Sequence, residues 1–278
     1  MTNVDDYRKA FAAELGREST ASPAVPPRAA ASMNPGDADG ISSAITLFRD
    51  PAQPVDARLA ALEQVQMATF MGPGFDKHRA NYRDALRAVA IADGDAQLRA
   101  TALEYLALQK DEVARRLLLQ GIDNSQQAIV PLAKAVQLLG HDDHGVAVPV
   151  ARKVVGGAAD LDAKEEAVRV LASDPQSRNV LSGILADQAQ PSQLRSLSAS
   201  SLRALDPEEF VKVAQKIVVD DSEDDSVRAS CLGALNHVQG YSGRLAPDLS
   251  AALQKLDLTG KSPDLRAAAA RFLQPRSK

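Results

Sequence analysis

The chain has 278 residues, with 32 Lys and Arg against 36 Asp and Glu, a formal net charge of −4, 45% hydrophobic residues, 4% aromatics, no Trp and one Cys. This balance argues against nucleic acid or an anionic membrane as the main partner, because phosphate binding needs concentrated Lys and Arg. The single thiol, Cys231, excludes an internal disulfide framework and a four-cysteine zinc site. Alanine and leucine supply most of the apolar content, which favours close-packed helices over a β-sandwich. MTNVDDYRKAF has no basic start followed by an apolar run, and no stretch approaches ~18 consecutive apolar residues, so a soluble, cytoplasmic chain is expected.

Val4, Tyr7, Phe11 and Leu15 recur at three- and four-residue steps and predict a short amphipathic helix. The following RESTASPAVPPRAAASMNPGDADG carries Pro23, Pro26, Pro27 and Pro35 and no apolar periodicity. Residues 1–40 are therefore expected to form a helix on a flexible, Pro/Ala/Ser-rich linker. A helix of that length is marginal alone in water, so it either docks or frays.

From residue 41 to 278 the chain repeats itself. ARLAALEQV, LRATALEYL, LRSLSASSL, VRASCLGAL and LRAAAARFL each place a small residue three positions after an arginine and an aliphatic or small one at four. Another aliphatic follows at seven. The anchors are Arg58, Arg99, Arg195, Arg228 and Arg266, and two degenerate copies put Leu132 and Lys164 in the same place. Successive anchors stand 41, 33, 32, 31, 33 and 38 residues apart, a period that marks a stacked repeat array. Each period holds two helices. The second carries the anchor and is expected to start behind Asp56, Asp95, Asp162, Ser192, Asp225 or Ser262. Asp206-Pro207-Glu208-Glu209 and Ser173-Asp174-Pro175 announce first helices, since Asp caps and Pro suits a first turn.

Three stretches could carry chemistry or a contact surface, and the first of them breaks the period. MATFMGPGFDKHRANY (67–82) concentrates Met67, Phe70, Met71, Phe75 and Tyr82 around a forced turn at Gly72-Pro73-Gly74. These side chains either seal the start of the stack or form an apolar patch for a partner. LLGHDDHGV (138–146) holds His141 and His144 around Asp142 and Asp143. Gly140 is expected as a left-handed helix cap, with the polar residues in an inter-unit turn. Two imidazoles three apart with carboxylates between them also suit a transition metal. DDSEDDS (220–226) lacks the Gly and Glu of a calcium loop and is expected to be a solvated turn with Asp225 as cap. Cys231 occupies a small core position, where an inert thiol is expected.

DDSVRASCLGALN and SPDLRAAAARFL are the clearest copies, and at these residues the chain resembles bacterial-type HEAT-repeat proteins, whose units carry a D-x-x-V-R-x-x-A-x-x-x-L flavour. The resemblance covers about residues 41–278. It implies an all-α fold, a right-handed α-solenoid of about seven HEAT-like helix pairs. In that family the Arg and an upstream Asp often form a ladder between units; here only Asp93, six before Arg99, stands where such an Asp is expected. HEAT-like deoxyhypusine hydroxylase binds metals through paired His-Glu motifs; no His-Glu dipeptide occurs here, which excludes that family. HEAT-fold DNA glycosylases need a basic, aromatic-lined groove that an acidic, Trp-free chain does not match. Partner-specific adaptors of the phycobilin lyase type are a further precedent, but no residue points to a pigment.

There is no phosphate loop, H-E-x-x-H or G-x-S-x-G motif. The resulting expectation is a non-enzymatic scaffold or adaptor that binds another protein on its concave face, with no cofactor. Met67, Phe70, Met71, Phe75, Arg195, Arg203 and Arg228 are the expected contact residues. The alternative is a metal-binding or metal-dependent enzyme centred on His141-Asp142-Asp143-His144, with His141, Asp143 and His144 as candidate ligands.

Overall fold

The computed structural model describes residues 38–141, 144–238, 247–259 and 262–273. The helix expected over residues 4–15 and its linker to residue 37 lie outside these. The described residues form helices and no strand. Helix α1 (Ala38–Arg49) pairs with α2 (Val55–Ala68), and a one-turn α3 (Pro73–Asp76) follows. Then α4 (Arg79–Ala92) pairs with α5 (Ala96–Leu108), α6 (Glu112–Asp123) with α7 (Leu132–Gly140), and α8 (His144–Gly156) with α9 (Leu161–Leu171). Pairs α10 (Arg178–Ala186) with α11 (Ser192–Leu205), α12 (Pro207–Val219) with α13 (Asp225–Leu235), and α14 (Pro247–Thr259) with α15 (Pro263–Leu273) complete the array. The fold is an α-solenoid of helix pairs.

The repeat pattern sets the packing. Every anchor lies on the second helix of its pair. The small residues three positions later (Ala61, Ala102, Ala135, Ala167, Ser198, Cys231 and Ala269) are all buried, because a larger side chain there would hold the paired helices apart. At seven positions, Val65, Leu106, Leu139, Leu171, Leu202 and Leu235 are buried between units. The second helices α2, α5, α7, α9, α11, α13 and α15 pack in an unbroken row. First helices pack closely on one another at α1–α4 and again along α10–α12–α14. The core falls into two clusters, Ile41 to Ala147 and Val136 to Phe272, and Val150 and Val170 pack against both.

Capping follows the expected chemistry with shifts in position. Asp95 and Asp206 accept the backbone N–H of Leu98 at 2.8 Å and of Glu209 at 3.0 Å, as expected. Asp160 and Asp224, rather than Asp162 and Asp225, cap α9 and α13. Helices α2 and α11 start behind Pro54 and Pro191, and Asp56 and Ser192 fall inside their first turns. Proline fixes the entry dihedral and needs no side-chain acceptor to start the turn.

Ion pairs join successive units. The Nε of Arg58, Arg195 and Arg228 donates to the carbonyl of Phe48, Leu185 and Val218, closing the end of the first helix in the same pair. The other end of the guanidinium reaches the next unit in two cases: Arg58 bonds Asp93, and Arg195 bonds Glu223 at 2.8 Å. A second series runs along the first helices. Arg87 meets Asp111 at 2.7 Å, Arg152 meets Asp174 at 2.5 Å and Arg178 meets Asp206 at 3.7 Å. Each of these carboxylates also caps the helical turn opening the next unit.

Candidate functional site

The junction of the two core clusters is also where the His141 turn lies. Helix α7 ends at Gly140, and His141 follows in helical conformation, its N–H donating to the Leu138 carbonyl at 3.2 Å. Gly140 is not the left-handed cap expected of it. It is helical, and a Cβ there would stand 3.0 Å from Val170 Cγ2, so its lack of a side chain lets α7 approach α9. His141 is exposed, and helix α8 starts at His144. Asp142, Asp143 and the His144 side chain lie outside the described residues, so the candidate ligands Asp143 and His144 have no described geometry.

A cavity of about 290 Å³ opens beside the turn, lined by Gln137 and His141 from the third unit, by Glu166, Arg169 and Val170 from α9 and by Ser173 just beyond it. Glu166 accepts from Arg169 at 2.8 Å, and Glu165 does so at 3.4 Å. The Ser173 hydroxyl donates to the Val170 carbonyl at 2.9 Å. The cavity therefore combines an imidazole, a carboxylate and a guanidinium over a small apolar floor, a composition suited to a small polar ligand. Among the described residues no group of three or more His, Cys, Asp or Glu side chains is gathered for a metal ion.

His141 stands nine residues past its anchor, Leu132. The same register holds Met67, Leu108, Ser173, Ala204 and His237, and all six are exposed. Glu166 and Arg169 lie two and five past Lys164, Gln137 five past Leu132. These companions of His141 carry no motif; Gln137 and Arg169 are exposed and Glu166 is half-buried.

The other expected site residues divide by burial. Phe70 is 84% and Met67 64% exposed, whereas Phe75 is buried and meets Tyr82 edge-on at 5.8 Å. Phe75 therefore seals the stack and is corrected as a contact residue; the Met71 side chain lies outside the described residues. Gly72 makes the forced turn at φ +67°, which sends Phe70 and Phe75 to opposite environments. Arg195 and Arg228 are 2% and 4% exposed and bonded within the solenoid. Their expected role at a partner surface is corrected for the same reason. Arg203 is half-buried.

The acidic stretch 220–226 is also committed internally. Glu223 is buried against Arg195, Asp221 meets Lys255 at 2.8 Å and Arg228 at 3.2 Å, and Asp224 caps α13. Burial pushes the Cys231 thiol up to about 12, as expected of an inert core cysteine. Among the described residues no helix is long and apolar enough to cross a membrane.

No family model and no curated protein matches the chain. A solved structure of human deoxyhypusine hydroxylase in complex with glycerol is similar at 18% identity and a TM-score of 0.37, covering 85% of this chain and 95% of that one. That neighbour is an enzyme, and it corrects the expectation of a non-enzymatic scaffold: stacked helix pairs give no ground for excluding catalysis. No residue role transfers from it, since none of the four histidines here is followed by Glu.

Proposed function

We propose that the chain binds a divalent transition metal (Zn, Fe or Mn) at the His141–His144 turn and receives a small polar ligand in the adjoining cavity. The observation that carries this reading is that His141, exposed at the junction of the two core clusters, shares that cavity with Glu166. Two imidazoles three positions apart, with Asp142 and Asp143 between them, supply the nitrogen and oxygen donors such ions prefer. Glu166 adds a carboxylate from the next unit. A bound ion would supply a Lewis acid. The chain's own Arg169 and Gln137 line the same cavity and would meet an anionic or amide group of a ligand there. The helix pairs are read as HEAT-type repeats, supported by the buried anchors Arg58, Arg195 and Arg228 and by the carboxylates that Asp93 and Glu223 bring from the following unit.

Elemental analysis of the dialysed full chain tests the reading. Stoichiometric Zn, Fe or Mn is expected, lost on His141→Ala or His144→Ala with the far-UV dichroism unchanged and weakened on Glu166→Gln. A chain that stays metal-free after incubation with each ion, or keeps its metal in both histidine variants, overturns it.

A further inference from the structure

Met67, Phe70 and Leu108 are three of the five large apolar side chains that stand exposed among the described residues. They lie at one place in the fold. Met67 and Phe70 are three residues apart at the end of α2 and its 3₁₀ continuation, and Leu108 occupies the register of Met67 on α5, the next second helix. Helices α2 and α5 pack together, and Glu63, one turn before Met67, acts electrostatically on the phenol of Tyr105, one turn before Leu108. The equivalent positions in the next four units are His141, Ser173, Ala204 and His237, so among the described residues the apolar strip belongs to the first two units.

We propose that residues 1–15 of the same chain dock across this strip through Val4, Tyr7, Phe11 and Leu15. The point where the described chain begins favours this occupant. Helices α1 and α2 form an antiparallel hairpin, so Ala38 lies at the same end of the first unit as Phe70. The bond between Ser42 Oγ and His78 Nδ1 at 3.3 Å ties the start of α1 to the segment just beyond Phe70. A coil of 22 residues, the number from 16 to 37, would span roughly 25 Å, ample to reach a patch beside its own attachment point. Tethering makes the encounter intramolecular, at a local concentration that a separate partner must exceed. The segment gains as well: four apolar side chains on one face of a helix too short to persist alone are covered on docking.

With no Trp in the parent sequence, Phe70→Trp in the full chain places a lone indole in the strip. The expected emission is blue-shifted, protected from quencher and independent of protein concentration, and adding Phe11→Asp shifts it to the red and exposes it. Emission that is the same with and without Phe11→Asp overturns the proposal. Protection that grows with protein concentration overturns it in favour of a second copy as occupant. Hydrogen exchange on the unsubstituted chain reads the other partner: slowed exchange across residues 4–15, lost in Phe70→Asp, is expected. Exchange of those amides at the unprotected rate in the parent chain overturns the proposal as well.

Discussion

Arg58 and Asp93 come from neighbouring helix pairs, and their side chains, 3% and 7% exposed, are bonded to each other inside the solenoid. The same guanidinium holds the Phe48 carbonyl at 2.9 Å, so one side chain closes its own helix pair and fastens the next. Asp93→Ala leaves Arg58 buried without its counter-charge and is expected to cost about 3–5 kcal/mol. Urea denaturation measures this, and a loss below about 1 kcal/mol would put the pair in the class of exposed ion pairs.

The pairs carry a signature in pH. Hydrogen bonds from Arg58 and Arg195 hold the Asp93 and Glu223 carboxyls below their ordinary values of 3.8 and 4.5. A depressed folded pKa contributes stability that is complete above the unfolded value and is lost as pH falls through the folded one. The destabilisation caused by Asp93→Asn or Glu223→Gln is therefore expected to be full at neutral pH and to shrink at ~pH 3 and below. Urea midpoints of parent and variants at the two pH values decide it, and an equal gap at both contradicts the assignment.

Leu103, four past Arg99 and 1% exposed, fills the space between helices. Leu103→Ala is expected to cost ~2–5 kcal/mol in urea, combining lost burial with an unfilled cavity. Less than about half a kilocalorie would mean that the side chain does not sit in a packed core.

Two helical glycines make opposite predictions. At Gly121 in α6 a Cβ would stand 2.9 Å from the Ala128 Cα, so Gly121→Ala forces the chain after α6 to move and is expected to lose ~1–3 kcal/mol. At Gly183 in α10 a Cβ meets nothing within 4 Å, and Gly183→Ala is expected to gain up to ~1 kcal/mol from helix propensity. Thermal melts of the two variants check the contrast, and shifts of the same sign would show that contact at residue 128 does not decide it.

Much of the fold was legible because its determinants are local and repeated. A small residue three past each anchor and an aliphatic at seven mark the buried side of the second helix, and those positions are buried in every unit except at Leu273 of the last, which is half-buried. The ladder was less legible. Asp93 stands six before Arg99, but it bonds the anchor of the preceding unit. Glu223, five before its own anchor instead of six, does the same for Arg195. The extra methylene of Glu lets it serve from a different position in the loop, which a search for Asp at fixed spacing misses. At the candidate site only His141 came from a motif; Gln137, Glu166 and Arg169 became its neighbours through the packing of α7 on α9.

The amino-acid order by itself determined the helix pairs, their period and the face each second helix buries, because those depend on side-chain size at helical spacing within one unit. Tertiary structure alone decided which charges meet and which apolar groups remain outside. Phe70 and Phe75 are the same residue five positions apart, yet one is 84% and the other 1% exposed. The turn at Gly72 and the helices packed around it sort them, and no property of either side chain does so.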